Sequence, residues 1–251
     1  ADIDVLHGDR VHLRVTGWED WRFQTGEGLW EVMRAPATAL LAARDPRGFV
    51  TIADPGWATA TWEYLARRYV GAVESKAHGG NRSLARQRSL VLGRIAAKDA
   101  VRAHLRVQGR EPLFPVEVRI EPDAAGRPQV HLPFAHDLRV SLAHCEGFAC
   151  ALVGDGTDVG IDVEAIAPRG EGFAAVAFTH DELALLPHDA RDEWMTRLWA
   201  AKEAAGKAQG TGLAGDPKSL RATQREGERM LVEGRWVETT RMGERIVAWT
   251  R

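Results

Sequence analysis

The chain has 251 residues, 45% of them hydrophobic and nine of them Trp, and its net charge is −2 with a pI near 6.6. That apolar content is enough to pack one large domain or two small ones and excludes a disordered chain. The balanced charge gives no general pull towards nucleic acid or a membrane surface, so neither is expected as a partner. No apolar run approaches the ~18 residues of a membrane span, and the start lacks a basic-then-apolar signal. Two cysteines, Cys145 and Cys150, do not make a disulfide framework, so a reducing, cytoplasmic setting is expected.

Residues 1–35 read as β structure. A turn at His7-Gly8-Asp9 precedes Val11, Leu13 and Val15, which alternate with polar neighbours. The stretch Arg10 to Phe23 resembles the last strands of dehydratase domains of modular polyketide synthases. It lacks the H-x-x-x-G-x-x-x-x-P segment such domains use, so the resemblance implies at most a remnant that packs without dehydrating. The chain begins with Ala1 rather than Met, and with that resemblance it is expected to be the C-terminal piece of a longer synthase. Residues 36–56, rich in Ala, Pro, Asp and Gly, read as a connector with one short strand from Phe49 to Ile52. A helix from Thr59 to Val70 and a Gly-rich break at His78-Gly79-Gly80 follow.

Residues 82–107 form the best helix of the N-terminal half, with Leu84, Val91, Ile95 and Leu105 on one face. Arg94, Lys98, Arg102 and Arg106 recur every fourth position, and Arg94 falls between Val91 and Leu105. An Arg there must be paired, with either a structural carboxylate or a ligand phosphate. Strands are expected at Val116 to Ile120, Gln129 to Leu132 and Val140 to Leu142, with a turn at Asp123 to Pro128. A strand over 147–153 is expected to turn at Gly154-Asp155-Gly156 and return as a hairpin partner over Val159 to Glu164. Thr179 and Glu182 make a capping box. A helix from about Asp189 to Gln209 comes next, then two or three strands with turns at Glu226-Gly227 and Glu233-Gly234.

Two stretches carry chemistry. In Val159 to Glu164 the apolar residues alternate with Gly160, Asp162 and Glu164, so the two carboxylates share one strand face. A solvated strand edge has this pattern. So does a divalent-cation site, because a cation between the carboxylates relieves their repulsion. In Leu198 to Gly210, Trp199, Glu203 and Lys207 fall at i, i+4 and i+8 on one helix face. An exposed Glu–Lys pair has that spacing, and Glu203 also supplies a third carboxylate if its helix packs across the strand.

Together the two stretches resemble the paired signature of the 4′-phosphopantetheinyl transferases: G-[IV]-D-x-[DE] (Gly160 to Glu164), then [FW]-x-x-K-E-[AS]-x-x-K (Trp199 to Lys207) about forty residues on. Ala200 departs from the small hydroxyl or thiol residue common at its position. Gly93-Arg94, Gly126-Arg127-Pro128 and Ser141-Leu142-Ala143-His144 also resemble pieces of that family, and the resemblance spans roughly residues 59–251. Without these neighbours, His144 reads equally well as a surface or core histidine.

The resemblance points to the monomeric, pseudo-dimeric branch of surfactin-synthetase-activating type. It implies an α+β fold built as a pseudo-two-fold pair of similar α/β halves, residues 58–154 and 155–251, behind a β-rich extension over 1–57. It implies transfer of the 4′-phosphopantetheine arm of coenzyme A, the substrate, to a serine of an acyl or peptidyl carrier protein, in cis or in trans, with release of 3′,5′-ADP. The implied cofactor is Mg²⁺ on Asp162, Glu164 and Glu203. Glu203 is implied as the general base, with Asp162 and Lys207 completing the catalytic set. Coenzyme A is expected to meet Arg127 and His144 at its 3′-phosphate end and Lys207 at a phosphate oxygen, with Lys202 either doing the same or only orienting its helix, and with Arg86 and Lys76 as further candidates. The carrier is expected to dock near Gly210 to Leu213, and the chain to act as a monomer. Two other readings stay open: pyrophosphate hydrolysis on the same fold, and a coenzyme A-binding docking module of a megasynthase without transfer activity.

Overall fold

The computed structural model describes residues 2–17, 26–71, 74, 83–213 and 215–251. A separate exposed hairpin of β1 (Ile3–His7) and β2 (Arg10–Val15) comes first. Then follow α1 (Glu27–Arg34), β3 (Ala43–Arg44), β4 (Val50–Ala53), α2 (Thr59–Tyr69) and the 24-residue α3 (Leu84–Val107). Strands β5 (Arg119–Pro122), β6 (Pro128–His131), β7 (Leu138–Cys145) and β8 (Phe148–Asp155) complete an antiparallel six-stranded sheet of order β3-β4-β8-β7-β6-β5. The second unit contains β9 (Gly160–Ala165), α4 (Glu171–Ala177), α5 (His180–Ala184), the 19-residue α6 (Arg191–Gln209), β10 (Ala222–Glu226), β11 (Arg229–Val232), β12 (Arg235–Met242) and β13 (Arg245–Thr250). Its sheet order is β10-β11-β12-β13-β9.

Strand alternation sets the layers. On β8, Ala149, Ala151 and Val153 join the core beneath α3, while Phe148, Cys150 and Leu152 face the second sheet. There they meet Ile161 and Val163 of β9 and Val247 of β13. The two sheets therefore pack face to face, with α3 against the far side of the first and α6 against the far side of the second. On β9 the remaining positions, Gly160, Asp162 and Glu164, turn towards α6. Gly160 makes the contact possible: a Cβ there would lie 1.8 Å from the Ala204 carbonyl oxygen.

Several expectations are corrected. Strand β9 is not the hairpin partner of β8; it pairs antiparallel with β13, from Gly160 opposite Thr250 to Ala165 opposite Arg245. The hairpin is β7–β8, closed by Glu146 (φ 40°) and Gly147 (φ 72°), the left-handed pair a two-residue turn requires. Residues 27–34 are helical rather than β, with Leu29 and Val32 buried on one face. Residues 36–56, expected as a connector with one short strand, carry β4 and contribute Ala42, Val50 and Ile52 to the core of the first unit. Arg102 ties that segment down by donating to the carbonyls of Pro36, Ala37 and Ala39, and Asp99 accepts the amides of Leu41 and Ala42. Leu84 stays exposed at the start of α3. The Gly-rich break expected at 78–80 lies outside the described residues. The Thr179 capping box and the shielded Arg94 match expectation; of the same series Lys98 and Arg102 are also buried and Arg106 is exposed.

The Gly160 contact predicts the cost of a single methyl. Gly160→Ala must push α6 off β9 and should cost at least about 3 kcal/mol in denaturant unfolding. Gly28→Ala, where a Cβ meets nothing within 4 Å in α1, should stay within about 1 kcal/mol of wild type, on the stabilising side.

Candidate functional site

Strand β6 touches β7 in a single pairing, Gln129 with Arg139, and then diverges. The gap beside β7 is met by the start of β9, where the Ile161 amide donates to Ser141 Oγ at 3.0 Å. A cleft of about 670 Å³ opens there, between the two units. Its walls come from the β5–β6 turn (Arg127), β7 (Arg139, Ser141), the approach to β9 (Asp158), and the end of α6 (Lys207, Gly210). Arg94 reaches it from α3. Four basic side chains against one acid make the cleft suited to an anion.

Local chemistry fixes these positions. Asp123 Oδ1 accepts the amides of Ala125 and Arg127, and Gly126 takes φ +83°, so the turn presents Arg127 towards the second unit. Its guanidinium lies 3.5 Å from Asp158 Oδ1 and rests on Gly210, whose missing Cβ leaves it room. Arg94, 7% exposed, has the structural carboxylate as its partner, Glu74 at 3.2 Å, and it also lines the cleft.

Lys207 is the hinge between cleft and carboxylates. Its Nζ donates to Asp162 Oδ1 at 2.7 Å and to the Ile161 carbonyl at 3.2 Å. Burial pulls the ammonium's pKa down, but the Asp162 carboxylate and its hydrogen bond more than offset this and leave it above its ordinary value. Asp162 Oδ2 is buried and has no hydrogen-bond partner. Glu203 faces the same region: burial first, then the Asp162 charge, pushes its carboxyl above the usual carboxylate range, against the pull of Lys207, and Glu164 adds a further repulsion. Glu164 is held on both oxygens, by Trp199 Nε1 at 3.2 Å and by Arg169 Nη2 at 2.8 Å.

Asp162, Glu203 and Lys207 are thus brought together, with Glu164 and Trp199 beside them. The three carboxylates do not form a finished metal cage: among the described residues no group of three or more His, Cys, Asp or Glu is arranged to hold a metal ion. The donor chemistry nonetheless fits a divalent cation at Asp162 and Glu203, because an unpartnered buried oxygen and a mutually repelling carboxyl pair are both relieved by one. Glu164 has one donor on each oxygen and keeps a lone pair on each for such a set.

The other candidates divide. Arg127 and Lys207 line the cleft, whereas His144, Arg86 and Lys202 do not. His144 lies over Gly93 of α3, where a Cβ would come within 3.5 Å of its ring. Desolvation there, then Lys207, lowers its pKa, so the imidazole is neutral at pH 7. Arg86 is exposed on the first turn of α3, and Lys76 lies outside the described residues. Lys202 is corrected: it is wholly buried, donating to Glu182 Oε1 at 2.7 Å and to the Ala177 carbonyl, and so anchors α6 rather than meeting a ligand. Gly210, Thr211 and Gly212, near which a carrier is expected to dock, form part of the cleft wall. Cys145 and Cys150 are free thiols, and burial pushes Cys145 up to about 11, which makes it a poor nucleophile or metal ligand. Sequence reasoning missed Asp158 and Arg169, which lie on loops without periodicity, and Arg139, whose strand position carries no distinguishing signal.

An anion cleft lined by Lys207, whose ammonium holds Asp162 behind it, suits a phosphoryl group. Residues 158–246 match the family profile described as ACPS, the 4′-phosphopantetheinyl transferase superfamily. The matched region contains Asp162, Glu164, Glu203 and Lys207, so the match supports phosphopantetheinyl transfer as the chemistry of this part of the chain. No curated protein matches the chain.

The contrast between Lys202 and Arg127 is measurable. Lys202→Ala leaves Glu182 buried without its cation and should cost about 3–5 kcal/mol in unfolding experiments. Arg127→Ala, in a pair that is about half-exposed, should change stability by less than about 1 kcal/mol.

Proposed function

We propose that the chain transfers the 4′-phosphopantetheine arm of coenzyme A to a serine of an acyl or peptidyl carrier protein and releases 3′,5′-ADP. The observation that carries this reading is Lys207, which lines the anion cleft and at the same time holds Asp162, inside the region matched to the family. Arg127 and Arg94 suit the phosphate-rich end of coenzyme A, and the neutral His144 offers a hydrogen bond rather than a charge.

In the reaction the serine Oγ attacks the β-phosphorus of coenzyme A, its proton leaves, and the bond to the 3′,5′-ADP oxygen breaks. Glu203 takes that proton as the general base. Lys207, one turn along α6, neutralises a non-bridging phosphate oxygen. Asp162 keeps Lys207 charged and aimed. Mg²⁺ held by Asp162 and Glu203, with Glu164 as the further candidate ligand, would supply charge neutralisation at the diphosphate.

The reading also takes residues 58–154 and 155–251 as related halves of a monomeric transferase. Support comes from a repeated anchor. In the first unit Glu74 accepts from buried Lys98 and from the Ile120 amide; in the second Glu182 accepts from buried Lys202 and from the Ala222 amide.

The test mixes the protein with apo carrier protein, coenzyme A and Mg²⁺ and follows the added arm by mass. Transfer is expected, and it should stop with a chelator. Asp162→Asn and Glu203→Gln should keep the wild-type melting temperature within a few degrees and lose about 10²–10³-fold in rate. Hydrolysis of coenzyme A without carrier, or carrier binding without transfer, would replace this reading with one of its two rivals.

A further inference from the structure

Arg169 belongs to neither motif, yet it makes the shortest contact to Glu164, at 2.8 Å from Nη2 to Oε2. It is not a wandering surface side chain. Only 14% of it is exposed, its guanidinium carbon lies 4.7 Å from the Phe173 ring centre, and Nε reaches Thr196 Oγ1 on α6. Its own amide donates to Asp192 Oδ1 at the start of the same helix. Phe173 in turn packs edge-on against Trp199, which holds the other oxygen of Glu164. The side chain is therefore fixed from three sides and aimed at one carboxylate oxygen.

The charges then balance in an instructive way. Asp162, Glu164 and Glu203 bring three carboxyls, and Lys207 and Arg169 sit on two of them. At most one uncompensated negative charge is left for a dication, which is little attraction in a partly solvated site. A diphosphate arriving in the cleft restores that attraction, because it brings its own negative charge and draws Lys207 towards itself.

Building on the proposed transferase reading, we propose that Arg169 is a positioning residue that makes cation binding conditional on coenzyme A. It compensates Glu164 in the free protein, so that the dication binds well only together with the diphosphate substrate. It touches neither substrate nor cation and acts through Glu164.

The test measures Mn²⁺ binding by the loss of the free-ion paramagnetic resonance signal, with and without coenzyme A, in wild type, Arg169→Met and Arg169→Lys. Wild type should bind Mn²⁺ weakly alone and clearly more tightly with coenzyme A. Arg169→Met should bind Mn²⁺ alone on the order of tenfold more tightly, as expected for one cationic charge removed beside the ion, with a smaller gain on adding coenzyme A. Arg169→Lys, which keeps the charge, should stay near wild type. Should Arg169→Met fail to fold, Arg169→Gln carries the same measurement. Unchanged or weaker Mn²⁺ binding in the neutral variant, or an equal rise in Arg169→Lys, overturns the role of Arg169 while leaving the transferase reading intact. No Mn²⁺ binding by wild type even with coenzyme A overturns both this role and the cation site.

Discussion

The missing side chain of Gly160 is the constraint on which the site rests. Helix α6 lies so close to β9 that the Ala204 carbonyl occupies the space a Cβ would take. Any larger residue moves the helix outward, and the helix carries Trp199, Glu203 and Lys207. At the present separation Lys207 reaches across to Asp162 at 2.7 Å, and Trp199 reaches Glu164. The small residues Ala200, Ala201, Ala204 and Ala205, all fully buried, let the backbone approach this closely along its length. Packing and chemistry are thus one problem: the glycine and alanines that bring two backbones together also set the distances among the charged groups.

Each unit holds its long helix by a buried ion pair rather than by apolar contacts alone. Lys98 to Glu74 at 2.5 Å and Lys202 to Glu182 at 2.7 Å are both without solvent exposure on the lysine. Such pairs cost desolvation energy on both sides and are weak sources of net stability. Their geometry shows what they contribute. Each carboxylate also accepts a backbone amide from a strand following the helix, at Ile120 and at Ala222, so one group ties helix and sheet edge in a fixed register. A hydrophobic contact can slide, whereas a buried lysine held to its carboxylate cannot.

The elements legible in the sequence were those with a strong local period or a local cap. The helix over Leu84–Val107, the Thr179 box and the alternation of Gly160, Asp162 and Glu164 needed only neighbours in the chain. The partner of β9 was not legible, because Val163 reads the same whether its strand pairs with β8 or with β13; the choice is made by the sheet-to-sheet core, far away in sequence. Lys202 misled for a related reason. It is adjacent to Glu203, but successive helical residues point about 100° apart, so one faces the cleft carboxylates and the other the Glu182 pocket. With α6 buried on several sides, no apolar stripe marks which charge faces where.

The end of α6 makes the cleft wall and its lysine a single rigid part. Gly210 takes φ +77° and closes the helix, and the amides of Thr211 and Gly212 return to the Gly206 carbonyl. Gly206 must be glycine for that return, since a Cβ would meet the Gly212 carbonyl oxygen at 2.5 Å. Lys207 stands in this last turn, where the helix dipole favours a cation. Glu203, Lys207 and the Gly210 wall therefore move together or not at all. Arg127 reaches the same cleft from a turn of the other unit, through a half-exposed contact with Asp158. One wall of the cleft is thus set by a helix end and the facing one by a half-exposed side chain.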